Sequence, residues 1–264
     1  AYPPMTPAEI LSPELTVKVD ALRAADKPFA FATIVRTVGS TAAKPGAKAL
    51  LAEDGTILEG WLGGGCARGA VKRAALTAFR TAEPQLVSVT PEEFLAELGV
   101  EAGTQHSGVT YARNGCPSKG TVDIFIEPSL PLPELVVMGA SPVAKALCSL
   151  AAQFQFAIRA VDADVDLLPT SRQRYVVIAT QGQGDMIALN AALTSGPSSI
   201  SFVGSSRKFA ALSQKLMDAG ADPAAVRSVK APAGLNINAV TPDEIALSIL
   251  AELVKQRRAA RAEV

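Results

Sequence analysis

The chain has 264 residues, enough for two domains of ordinary size or one large one. Lys plus Arg and Asp plus Glu are 25 each, and no long basic run precedes the last ten residues, which excludes the electrostatic footprint of a nucleic-acid binder. No apolar stretch approaches the roughly 20 residues of a membrane span, and residues 1–7 lack a basic segment followed by an apolar run, so the expectation is a soluble, cytoplasmic protein without membrane insertion.

Residues 8–25 carry an acidic start and spaced apolar positions that predict a helix, broken or preceded by Pro13. Phe29 to Arg36 and Ala47 to Ala52 are β-rich runs, and the Asp54-Gly55 turn leads to Thr56-Ile57-Leu58. Paired strands are expected there. Between the first two lies Thr37 to Gly46, a loop of hydroxyls, glycines and one lysine suited to wrapping an anion, with Gly39 and Ser40 as its candidate contacts.

The turn Trp61-Leu62-Gly63-Gly64-Gly65-Cys66 comes next, and Ala67 to Thr81 reads as a helix of good formers. Glycines leave backbone amides unobstructed, and the first amides of a helix carry the positive end of its dipole. With Arg68, Lys72 and Arg73 within two turns, the pattern predicts a Cys66 thiolate beside an anion-binding loop. Packing of a small residue in a tight turn is the alternative for Cys66.

Leu86 to Thr90 alternates as a strand, Pro91-Glu92-Glu93 opens a short helix, and residues 100–120 are polar and glycine-rich around His106 and Cys116. His106 is the single histidine, and the three cysteines, Cys66, Cys116 and Cys148, show no Cys-x-x-Cys spacing. That argues against a disulfide scaffold and a structural zinc site. Cys116 packs in its loop or approaches Cys66 as a second thiol, and Cys148 reads as core packing. Thr121 to Glu127 alternates and closes the first domain, and the prolines at 128, 131 and 133 mark a linker. The expected domains are 1–128 and 134–264.

Leu135 to Met138, the Gly139-Ala140-Ser141 turn, a helix from Val143 to about Phe154, and Phe156 to Val161 before Asp162 give the order of a dinucleotide-binding unit. Ser141 stands where a second glycine ordinarily lets a pyrophosphate approach. Tyr175 to Thr180 is another buried-strand run, leading to Asp185, and Ser199 to Val203 opens into Gly204-Ser205-Ser206-Arg207. In an open parallel sheet Gly139, Thr180, Asp185, Gly204, Ser205 and Arg207 would meet in one crevice, with Asp162 on a ribose. Thr241-Pro242-Asp243-Glu244 is a capping box opening the last helix.

The order Arg36-Thr37-Val38-Gly39-Ser40-Thr41, Pro45-Gly46-Ala47, Gly63-Gly64-Gly65-Cys66, Ala231-Pro232-Ala233-Gly234-Leu235 and Thr241 to Ala246 resembles the XdhC/CoxI family over about residues 28–255. The resemblance implies an α/β fold, an N-terminal α/β domain joined to a C-terminal Rossmann-like domain with a parallel sheet. It also implies a chaperone that holds the molybdenum cofactor, as molybdopterin or its cytosine dinucleotide, and delivers it to an apo molybdenum hydroxylase such as xanthine or carbon monoxide dehydrogenase. A cysteine desulfurase is a second implied partner, and a homodimer would suit a carrier with a shared site. Cys66 matches the family cysteine and becomes the candidate molybdenum contact. The cofactor is expected between the domains, on Gly39, Ser40, Gly63, Gly64, Gly65 and Cys66 at one end and Gly139, Ser141, Asp162, Thr180, Gly204, Ser205 and Arg207 at the other.

The chain departs from the family pattern at Arg68, where many members carry an acid, at Asn114 to Gly120, and at Gln181-Gly182-Gln183. Ala67-Arg68-Gly69 is most similar to the branch serving carbon monoxide dehydrogenase. The reading is of a holder and not a catalyst. An NAD(P)-dependent oxidoreductase using the Rossmann half is the alternative, and an interaction protein without ligand the third.

Overall fold

The computed structural model describes residues 13–115 and 119–262, so Cys116 and the first residues of the helix expected from position 8 lie outside the described residues. The chain divides into two compact units between Pro131 and Leu132.

The first unit runs α1 (Pro13–Ala24), β1 (Phe29–Val38), β2 (Lys48–Ala52), β3 (Ile57–Gly60), α2 (Gly65–Thr81), β4 (Gln85–Thr90), α3 (Glu92–Leu98), β5 (Gln105–His106), β6 (Val109–Arg113) and β7 (Thr121–Ser129). Its strands form one sheet in the order β3-β2-β1-β7-β4-β6-β5, antiparallel except between β4 and β6. Alternation along β1 sends Ala30, Ala32 and Ile34 to one face and Phe29 and Phe31 to the other. The first set packs with Val87, Val89, Ile124 and Ile126 against α2, and the second meets Leu15 and Val19 of α1. Along α2 the buried stripe is Ala67, Ala70, Val71, Ala74, Ala75 and Ala78, the spacing of one helix face.

Between Ile34 and Arg36 the register of β1 shifts against β7, leaving Val35 as the extra residue of a bulge. Beyond the bulge Arg36 lies opposite Asp123, and its Nε donates to Asp123 Oδ2 at 2.5 Å. Ser88 Oγ donates to the other oxygen at 2.7 Å, so this buried carboxylate is satisfied on both sides.

Two local expectations change. β6 forms inside the segment read only as polar and glycine-rich, because β4 lies alongside in parallel and buries Ala112. β7 continues through Pro128 to Ser129, where the prolines predicted a stop. Pro128 pairs with Ala30 beyond the last β4 partner of β7, Ile126, so the proline falls where β7 is an edge and a missing N–H is tolerated.

The second unit runs β8 (Glu134–Met138), α4 (Pro142–Ala151), β9 (Ala157–Val161), β10 (Arg174–Ile178), α5 (Asp185–Thr194), β11 (Ser199–Phe202), α6 (Ser206–Asp218), α7 (Pro223–Ser228) and α8 (Pro242–Ala262). Its four strands are parallel in the order β11-β10-β8-β9, a Rossmann-like sheet. Leu135 and Val137 face α4 and α8, while Val136 and Met138 face α5 and α6. With both faces covered, every residue of β10 is buried, as continuous apolar runs in parallel sheets require. Buried Arg174 is held by Glu134 at 2.5 Å and by the Leu168 carbonyl at 2.8 Å. Among the described residues no helix is long and apolar enough to cross a membrane.

Candidate functional site

β3 ends at Gly60, where φ is +87° and an added Cβ would collide with the Lys48 carbonyl. Only glycine lets the chain leave the sheet so closely. It then passes Trp61, Leu62 and Gly63 (φ +117°), and α2 opens at Gly65 with Gly64 as N-cap. No side chain caps this end. Its first amides therefore lack the side-chain partner that helix starts commonly have.

Cys66 is half-buried against the core, and its Sγ accepts a hydrogen bond from the Gly115 N–H at 3.4 Å. The thiol lines a cavity of about 120 Å³ with Thr41, Trp61, Gly63, Gly64 and Asn114. Thr41 turns its hydroxyl back to accept the Ala43 N–H at 3.1 Å, and Asn114 Nδ2 donates to the Gly120 carbonyl at 2.5 Å. The chain thus brings Gly63, Gly64 and Cys66 together. Gly65 opens the helix with nothing within 4 Å of an added Cβ. Gly39 and Ser40 do not line the cavity; Ser40 bridges Lys119, and both glycine and serine rest against Gly120. Thr41 and Asn114 are the residues that sequence reasoning did not single out.

In the second unit the strand order reverses between β8 and β10, where an open parallel sheet leaves a crevice. The residues there are committed to one another. A Cβ on Gly139 (φ +104°) would come within 2.7 Å of the Ala179 carbonyl oxygen and 2.9 Å of Thr180 Cα, so this glycine is required by strand-to-strand approach. Buried Ser141 caps α4, accepting the Ala144 N–H at 3.1 Å. Thr180 donates to buried Asp185, which also accepts the Gly182 N–H at 3.1 Å and the Lys208 ammonium at 2.6 Å. Burial by itself raises the Asp185 carboxyl, but hydrogen bonds from Lys208 and Thr180 and the lysine charge outweigh it and hold the group below its ordinary value. Asp162 follows β9 and is exposed.

Gly204 and Ser205 line a different cavity, of about 690 Å³, with Lys230, Asn236, Asn238 and Ser248, and neither Gly139, Asp162 nor Thr180 lines it. Gly204 and Ser205 thus share a cavity with the loop that carries Lys230 and Asn236, while Lys208 of the same α6 start reaches the Asp185 cluster. Ser205 caps α6 by accepting the Lys208 N–H at 3.2 Å, and Arg207 is exposed in the first turn. Buried Glu252 anchors the loop beside this cavity, accepting the Gly234 N–H at 2.8 Å and pairing with Lys230 at 3.3 Å. Glu244 accepts the Val240 and Thr241 amides at 2.8 and 2.9 Å and donates its own N–H to Thr241 Oγ1 at 3.3 Å. Both halves of the capping box at α8 are present. Cys148 packs beside the core of this unit, and burial pushes its thiol up. His106 is exposed in β5.

Residues 22–90 match the XdhC and CoxI family, and residues 135–253 match the XdhC Rossmann domain. Uncharacterized protein YqeB of Escherichia coli (strain K12) is 29% identical over 252 residues, covering 86% of this chain and 43% of that protein. The chain thus spans less than half the length of that relative. A solved structure described as a xanthine dehydrogenase from Bacillus halodurans is 19% identical, covering 92% of this chain and 95% of that chain with a TM-score of 0.41. With a glycine-cysteine turn in one matched segment and a parallel doubly covered sheet in the other, the chain belongs to the XdhC and CoxI family.

Proposed function

We propose that this protein holds the molybdenum cofactor and hands it to an apo molybdenum hydroxylase, with residues 1–128 and 134–264 as its two domains. The observation that carries the reading is the half-buried Cys66 thiol on the rim of a small glycine-walled cavity, in a chain of this family. The residues present fit such a group. A thiolate is a soft donor and a reasonable ligand or neighbour for a metal that accepts sulfur, and one donor suits a metal that arrives already chelated by the pterin. Gly63, Gly64 and Gly65 leave the approach to the helix start clear of side chains, and an added Cβ at Gly65 would enter open space.

When bound, the cofactor supplies a metal whose oxygen or sulfur ligands can be exchanged. The chain's own part is to hold and orient. Cys66 contacts the metal end, the Gly115 N–H keeps the sulfur lone pairs directed, and the unprotected amides of α2 favour negative charge beside it. A cysteine desulfurase and the target hydroxylase would meet the protein at this rim.

The test is retention. Wild type and Cys66→Ala are each incubated with molybdopterin cofactor, with its cytosine dinucleotide form and with NAD, passed through a desalting column, and assayed for molybdenum, pterin and nicotinamide. Wild type should keep one of the molybdenum forms, and Cys66→Ala should lose most of it. Retention of neither, or of NAD alone, overturns the reading.

A further inference from the structure

Trp61 lines a second cavity, of about 420 Å³, together with Gly55, Thr56, Arg68 and Lys72. Arg68 and Lys72 are four residues apart on α2, so one helix face presents both cations to this cleft. Like charges at that spacing repel, and an anion between them relieves the repulsion. Neither side chain forms a salt bridge among the described residues; the exposed Asp54 carboxyl is held below its ordinary value first by hydrogen bonds from Thr56 and then by the Lys72 charge. Glu59 is taken by Lys18 at 2.5 Å. Asp54 directs Oδ1 to the Thr56 amide at 2.9 Å and hydroxyl at 2.6 Å.

The walls are fixed by packing. A Cβ on Gly55 (φ +77°) would meet Lys72 Cγ and the Lys72 carbonyl oxygen, both at 2.9 Å, so the β2–β3 turn is pressed onto that residue. Trp61, 37% exposed, adds an aromatic surface to the same cleft. An indole beside two cations is a surface for a flat heterocycle that carries negative charge.

We propose that this cleft binds a phosphate joined to a planar heterocycle, with Arg68 forked onto the phosphate, Lys72 as the second cation and Trp61 against the ring. The thiol cavity is too small for a heterocycle, whereas this one has the size of a small-molecule site. The inference rests on the proposed holding role only in that one ligand would reach both Cys66 and this cleft, since Trp61 lines the two cavities.

Trp61 is the only tryptophan in the chain, so its emission reports directly at the cleft. Titrating the full chain with cytidine 5′-monophosphate, or with metal-free molybdopterin, should give a saturable change that inorganic phosphate competes away. Arg68→Ala and Lys72→Ala should each weaken binding by about tenfold or more, whereas Arg80→Ala, an exposed charge near the end of the same helix, should not. Raising salt should weaken the wild type more than a variant that carries Arg68→Ala and Lys72→Ala together. Tighter binding of molybdopterin assigns the ring to a pterin, and tighter binding of the monophosphate assigns it to a nucleotide. No saturable change with either probe, or equal affinity in wild type and both variants, overturns the proposal. If wild type retains molybdenum cofactor and the Arg68 and Lys72 variants retain as much, the cleft falls and the holding role stands. If no molybdenum cofactor is retained while monophosphate binding depends on both cations, the holding role falls and the cleft stands.

Discussion

At the switch point of the second unit, Thr180, Asp185 and Lys208 satisfy one another in a buried cluster, Ser141 spends its hydroxyl on a helix cap, and Gly139 is pressed against Ala179. In the first unit the start of α2 has no side-chain cap, an added Cβ at Gly65 meets nothing, and Arg68 and Lys72 form no salt bridge among the described residues. The residue types are similar, glycines beside hydroxyls and cations at a helix start. The difference is in what is already paired. A polar group held by its own fold adds stability, whereas one left beside a cavity can exchange water for a ligand.

That contrast can be broken most directly at Gly139. Gly139→Ala adds a clash to a positive φ, and we expect a loss of about 3 kcal/mol from the second unit in urea unfolding. A stable variant with altered ligand retention would reverse the assignment. Asp185→Asn comes next, at about 1–3 kcal/mol near neutral pH, because Lys208 and Thr180 lose a charged buried partner. The carboxyl titrates below the ordinary 3.8 when folded, so its stabilisation is complete above that value and is lost as pH falls through the lower folded one. Thermal unfolding followed from pH 6 to about pH 2 should therefore show a steeper acid loss in wild type than in Asp185→Asn. Ser141→Ala should cost about 1 kcal/mol through the lost cap while leaving retention of molybdenum cofactor unchanged. The smallest stability effect belongs to Gly65→Ala, within about 0.5 kcal/mol, since the residue is helical and its Cβ enters open space. Loss of cofactor retention in that stable variant would sharpen the distinction between the two regions.

Much of the fold was legible where the signal was local. The antiparallel β1–β2–β3 meander followed from β-rich runs around Asp54-Gly55, and the α8 start followed from Thr241 and Glu244. The strand, glycine turn, helix and strand around Gly139 also follow the predicted order. β6 was not legible, because Val109 to Arg113 becomes a strand only beside β4. α6 and α7 had readable caps in Ser205 and Asp222-Pro223 that sequence reasoning passed over. For the candidate site, the glycines and Cys66 stood out through their spacing, but Thr41 and Asn114 come from separate loops and carry no shared pattern.

The sequence by itself determined the mixed α/β class, the parallel second sheet, and the glycine turn that sets a thiol at a helix start. These depend on periodicity, caps and backbone freedom within a few residues of one another. Only the tertiary structure decided which polar groups are spent. It joined Asp185 to Lys208, turned Glu59 to Lys18 and Asp54 to Thr56, and left Arg68 and Lys72 beside Trp61. Pairing is set by which side chains approach across the fold, and no local spacing encodes that approach.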